Sequence, residues 1–171
     1  MELPDIGFTM KLPPGWVNAR ETKSSAEYKQ FYKAGVEKDD YWENVSISPL
    51  EIHDLFTGKT KKVNTLTEYV DDILKDQEKI SAMFGTISKA LGKIVGEEIK
   101  EASSVPIKSR TQGTISGYEA IEVILNAPIS VIKVYIRKDD KIIEISFMVS
   151  KEEFPKYEED FRKSIESIKI K

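Results

Sequence analysis

Cysteine is absent from the 171 residues, which excludes disulfides, a thiol nucleophile and a thiolate metal site. Histidine occurs once, as His53, so a zinc centre would have to recruit carboxylates whose positions the sequence does not fix. No G-x-S-x-G elbow is present, so a serine nucleophile of that design is excluded. No apolar run approaches the roughly 18 residues that a helix needs to span a bilayer. A basic field is lacking too: 26 Lys and Arg face 29 Asp and Glu, a net charge of -3 that argues against a nucleic-acid partner. The scarcity of Gln, Asn, His and Cys, against abundant Lys, Glu and Ile, is the bias of proteins from hot environments or AT-rich genomes. It favours a thermophilic prokaryotic source.

What is present is pattern. From Gly117 onward the chain predicts three alternating strands and one amphipathic helix. Ser130–Lys138 sets Ile132, Val134 and Ile136 on one face and Lys133, Tyr135 and Arg137 on the other. Lys141–Val149 opposes Ile143, Ile145, Phe147 and Val149 to Glu144 and Ser146. Side chains alternate across a strand, so these rows predict a sheet with one strongly buried face. Asp139-Asp140 supplies the tight turn between the two strands, and Tyr118–Leu125 and Val105–Ile115 are the preceding strands. The closing helix starts near Pro155, a favoured first helical residue, and aligns Tyr157, Phe161, Ile165 and Ile168.

Upstream, Phe8–Leu12 predicts a short strand stopped by Pro13-Pro14-Gly15, with Trp16 folding back as a lid on the core edge. Glu27–Val36 and Asn44–Ile52 are further strands, Pro49 marking an edge or end of the latter. Thr65, with Glu68 three residues on, forms a capping box that opens a helix. Its buried stripe is Leu66, Val70, Ile73, Ile80 and Phe84. Gly85–Glu101 predicts a second, frayed helix, because its three glycines each weaken a helix by about 1 kcal/mol. The expected fold class is α+β: an α/β/α sandwich whose central antiparallel sheet is flanked by helices, as one domain over 1–171.

Four stretches resemble a known family. Phe8-Thr-Met-Lys-Leu-Pro-Pro-Gly-Trp16 is similar to the opening of the PsbP family, the extrinsic photosystem II subunits and their prokaryotic relatives. Asn44-Val-Ser-Ile-Ser48 leading to Thr65-Leu-Thr-Glu-Tyr69 resembles that family's strand and helix, and Gly117-Tyr-Glu-Ala120 its turn into a long hairpin. Phe154, Tyr157 and Phe161, then Ser167-Ile-Lys-Ile170, resemble its closing helix and terminal strand. The resemblance implies the α/β/α sandwich, a fold shared with a Ran-binding nuclear transport factor. The matching pieces are structural, so they carry over no role in photosystem II.

Candidate chemistry is thin. His53-Asp54 pairs an imidazole with a carboxylate, which suits one metal ligand or a general base but equally a loop at a strand end. Thr57-Gly-Lys-Thr60 mimics the tail of a phosphate-binding loop, yet the required upstream glycine is His53, and Lys61-Lys62 is an ordinary basic loop. The acid pairs Asp71-Asp72, Glu97-Glu98, Asp139-Asp140 and Glu152-Glu153 are neighbours whose side chains diverge. Asp39-Asp40-Tyr41-Trp42 puts carboxylates beside aromatics and suits a cation or a basic partner side chain, or a turn with Trp42 tucked inward. Gly92 and Gly96 permit close helix packing, and Asn44-Val-Ser46 fits a glycosylation triplet inside a strand.

The sequence therefore assigns no catalytic, cofactor-binding or metal residue. It favours a non-catalytic interaction domain docking a protein partner on a larger assembly, with peripheral or lipid-anchored membrane association open and oligomeric state unspecified. The alternative is a module holding a small amphiphile between the sheet and the Leu66–Val95 region. A carboxylate hydrolase centred on His53 and Asp54 ranks last. The first strand begins close to Met1, which fits a cytoplasmic chain or an exported one whose leader has been removed. The family resemblance tilts the expectation to the latter.

Overall fold

Adjacent isoleucine-rich rows at Ile132–Ile136 and Ile143–Val149 fix the centre of the molecule, because neither can face water. The computed structural model describes residues 1–18, 29–33, 44–50, 65–77, 107–126 and 129–171. Expectations placed on residues 19–28, 34–43, 51–64 and 78–106 lie outside the described residues, both ends of the expected Glu27–Val36 strand, His53, Asp54, Trp42 and the Gly85–Glu101 helix among them.

The chain forms β1 (Glu2–Leu3), β2 (Phe8–Thr9), β3 (Trp16–Asn18), β4 (Lys29–Lys33) and β5 (Asn44–Leu50). Helix α1 follows, described over 66–77. Then come β6 (Ile107–Ile115), β7 (Tyr118–Asn126), β8 (Ile129–Lys138), β9 (Lys141–Ser150), α2 (Phe154–Glu166) and β10 (Lys169–Ile170). Seven strands pair in the order β3-β4-β5-β9-β8-β7-β6, and β1-β2-β10 make a small second sheet. Every ladder is antiparallel.

The large sheet is covered on both faces. On one, Ile132, Val134, Ile136, Ile143, Ile145, Phe147 and Val149 pack with Val45 and Ile47 against α2, whose Phe154, Tyr157 and Phe161 point inward. Trp16 closes that layer, its ring edge-on to Phe161 at 5.8 Å and to Tyr157 at 6.3 Å. On the other face Leu66, Tyr69, Val70 and Leu74 of α1 lie on Ile121, Val123, Leu125, Val131, Tyr135 and Ile142. The expected α/β/α sandwich is thus present, but the row holding Tyr135 is not a wet face. Tyr135 is wholly buried, because α1 lands on it.

Local signals behave as their chemistry dictates. Thr65 Oγ1 accepts the Glu68 amide at 3.1 Å, capping α1 as the Thr-x-x-Glu spacing requires. Asp139 takes φ 54 in the β8–β9 turn, a conformation aspartate tolerates better than most residues. The expected strand at Phe8–Leu12 stops at Thr9. Lys11 donates its amide to Ser167 Oγ at 2.8 Å instead of to a strand, and the prolines that follow have no amide to give. Trp16 opens β3 rather than merely lying over the core. Lys138 Nζ donates to the carbonyls of Ile6 at 2.7 Å and Lys171 at 2.6 Å, fastening both chain ends to the tip of β8.

Candidate functional site

The β6–β7 hairpin builds one side of an open groove. Its two-residue turn, Ser116-Gly117, has φ 53 and 84, the positive pair that matches the twist of the flanking strands. Ser116 Oγ donates to the Ile168 carbonyl at 2.9 Å, so the hairpin tip is tied to the segment after α2. Between hairpin and helix runs a groove of about 370 Å³, within the roughly 300–1,000 Å³ range of ligand-holding clefts. Ala120, Val134 and Ile165 form an apolar floor, and Gly113 leaves it unfilled. A Cβ added at Gly113 would meet no heavy atom within 4 Å.

One wall is charged. Glu122 occupies the same face of β7 as Ala120 and Ile124, opposite Val134, where the pattern calls for an apolar side chain. It accepts a hydrogen bond from Arg162 of α2, and Glu158 lies 3.8 Å from the same guanidinium. Of these three, Glu122 and Arg162 line the groove and neutralise each other, whereas Glu158 is not among the lining residues. The sequence reading missed this site. The signal was there: an acid inside the period-two row of Ala120 and Ile124, and a cation directly after Phe161.

The groove opens onto β6, the terminal strand among those described. Such an edge presents unpaired amides and carbonyls, which proteins guard with charge and bulges. Here the guard is one-sided. Lys108, Arg110 and a register irregularity between Ile107 and Ser109 occupy the first half. The second half, Thr111 to Ile115, has no charge or bulge, and Thr111, Gln112, Gly113 and Thr114 are exposed.

A second polar cluster lies on the opposite face of the sheet. Lys133 Nζ and Ser146 Oγ both donate to Glu144 Oε1, at 2.9 and 3.2 Å. Nearby, the Tyr69 and Tyr135 rings meet edge-on at 5.9 Å. Burial, then the Glu144 charge, pushes both phenols well above the ordinary tyrosine range, so they stay protonated near neutrality and neither serves as a base. The Tyr135 hydroxyl is buried without a hydrogen-bond partner.

Three further sequence candidates fall on described residues with contacts or burial of their own. Asn44 of the glycosylation triplet is buried in β5. Asp71 pairs with Arg110 across to β6, and Glu153 with Lys156 at 3.1 Å in the first turn of α2. Among the described residues no three His, Asp or Glu side chains gather to hold a metal, and no helix is long and apolar enough to cross a membrane.

No family model matches the chain, and no curated protein matches its sequence. Solved structures do. The solution structure of cyanobacterial PsbP from Synechocystis sp. PCC 6803 superposes with a TM-score of 0.58 at 13% identity, covering 100% of this chain and 91% of that one. The fold is PsbP-like. LpqN of Mycobacterium tuberculosis, described as involved in cell envelope biogenesis, shares this PsbP-like fold with a TM-score of 0.54 at 9% identity, over 95% of this chain and 82% of its own. PA94 of Pseudomonas aeruginosa, described as a putative regulator of unknown function, gives 0.50 at 12% identity, over 89% and 94%. At such identities the likeness establishes architecture, and the expected α+β sandwich is confirmed.

Proposed function

We propose that the chain, as one domain over 1–171, is a non-catalytic accessory module that docks a protein partner of a larger assembly through the β6 edge and the groove beside it. The half-bare edge of β6 carries this reading. Along Thr111–Ile115 alternate residues turn their backbone groups away from β7, with no further strand beside them among the described residues, next to a concave surface, a combination natural sheets otherwise cover. The likeness to LpqN supports a cell-envelope or membrane-surface setting, with export and peripheral attachment as corollaries. No cofactor or metal enters the proposal.

A photo-crosslinking side chain placed at Thr111 or Thr114 should form adducts in membranes of the source organism. The same group at Lys163, on the outer face of α2, should not. A chain that stays a solitary monomer and crosslinks nowhere refutes the docking role. The apolar floor of the groove supports a second reading, a module for a small amphiphile, which requires saturable thermal stabilisation by such ligands.

A further inference from the structure

Resting on the docking role, we infer that the partner at the β6 edge is a second copy of this chain, paired antiparallel with it about a two-fold axis at Gln112. The backbone sets the register. The two-residue turn closes on Ile115 and Tyr118 as a hydrogen-bonded pair, so Ser109, Thr111, Gly113 and Ile115 turn their backbone groups to β7. Arg110, Gln112 and Thr114 turn theirs outward, and only these can exchange hydrogen bonds with another strand. Setting Gln112 opposite its own symmetry mate puts Arg110 opposite Thr114 of the second copy and uses all three. A slip of the register in either direction loses at least one pair. The irregularity between Ile107 and Ser109 ends the seam on one side and the Ser116-Gly117 turn on the other.

The charges agree with that register. Glu119 is the β7 partner of Thr114, and no cation pairs with it among the described residues; Gln112 Nε2 donates to it at 3.2 Å. Arg110 of the second copy lies on the same face, one strand beyond Thr114. Its alpha carbon is about 10 Å from that of Glu119, a gap that two long side chains close across a short threonine. The present partner of Arg110, Asp71, has a side chain 42% exposed, so the guanidinium can serve both carboxylates. The two-fold axis repeats this contact, and no like charges meet along the seam. On the other face Thr111 of one copy stands opposite Gly113 of the other in a close, non-hydrogen-bonded pair. The side chain whose absence leaves the groove unfilled is thus replaced by the neighbour's threonine. Helix α1 rests on β7, β8 and β9, set back from the seam. Such a pairing closes on itself, giving a dimer and not a fibre.

The test is sedimentation velocity of the intact chain. At concentrations up to about 0.5 mM, high enough for a small interface, its mass should rise from 19.5 kDa towards twice that value. Arg110→Glu and Glu119→Arg should each weaken self-association about tenfold or more, because each opposes like charges at both ends of the seam. An equimolar mixture of the two variants restores opposite charges at both ends and should pair as tightly as the wild type. A substitution that acted within its own chain would not recover on mixing. Gln112→Pro removes an outward amide and leaves the β7 ladder in place, so it should keep a cooperative unfolding transition yet stay monomeric. A monomer throughout that concentration range, a mixture no tighter than the single variants, or a dimer formed by Gln112→Pro each overturns the inference. A monomer whose Thr111 crosslinks a different protein removes the second copy as occupant while docking through this edge stands. A monomer that crosslinks nowhere removes both readings.

Discussion

Replacing Tyr135 with phenylalanine should make this protein more stable, the reverse of the usual result. A buried tyrosine normally has a hydrogen bond, and losing one costs about 1 kcal/mol. The Tyr135 hydroxyl has none, so the folded state bears its desolvation, about 1–3 kcal/mol, with nothing to offset it. Phenylalanine keeps the ring, its edge-on contact with Tyr69 at 5.9 Å and its packing under α1, and leaves only an oxygen-sized gap. A net gain of about 1 kcal/mol corresponds to roughly 2–4 °C in Tm for a chain of this size. Calorimetry with urea denaturation measures it. Alkaline pH provides an independent sign. Below pH 10 the phenol is protonated folded and unfolded, and contributes no pH dependence. Above pH 10 the unfolded chain releases that proton first, because the folded-state pKa is raised, so wild-type stability falls by about 1.4 kcal/mol per pH unit for this residue. The advantage of Tyr135→Phe should therefore widen as pH climbs past 10. A variant destabilised by 1 kcal/mol or more, or a gap that narrows in alkali, refutes the reasoning.

Thr65→Ala removes the cap of α1 and should cost about 1 kcal/mol in urea denaturation, with Thr65→Ser restoring it. Phe161→Ala, at a wholly buried position between Trp16, Phe147 and Tyr157, should cost about 3–5 kcal/mol and shift Trp16 fluorescence to the red. Lys138→Met abandons two carbonyls and should cost about 1–3 kcal/mol, with faster hydrogen exchange at the Gly7 and Lys171 amides than in the sheet centre. Unchanged exchange at those two amides would remove the role given to Lys138.

The architecture was readable where an apolar row is long. β8 and β9 run for ten residues each, enough for alternation to declare itself, and α2 repeats its aromatics at helical spacing. The two-residue β1 and β10 were too short to carry a period, and β3 was obscured by the turn that precedes it. Tyr135 misled because a tyrosine between Lys133 and Arg137 looks solvent-facing, and its burial depends on where α1 lands, a tertiary fact. The groove was illegible for a related reason. It arises from a missing side chain at Gly113 facing a helix flank some fifty residues away, whereas Glu122 left a trace by interrupting an apolar row.

The fastening by Lys138 also governs what can be attached to this protein. β1 and β10 flank the same strand, so Glu2 and Lys169 sit only about 10 Å apart, and Ser116 anchors the hairpin tip to Ile168 beside them. Cargo fused at either terminus leaves from one corner, adjacent to the bare half of β6. A short linker would hold that cargo at high local concentration over the edge, so affinity tags at the ends would compete with a genuine occupant.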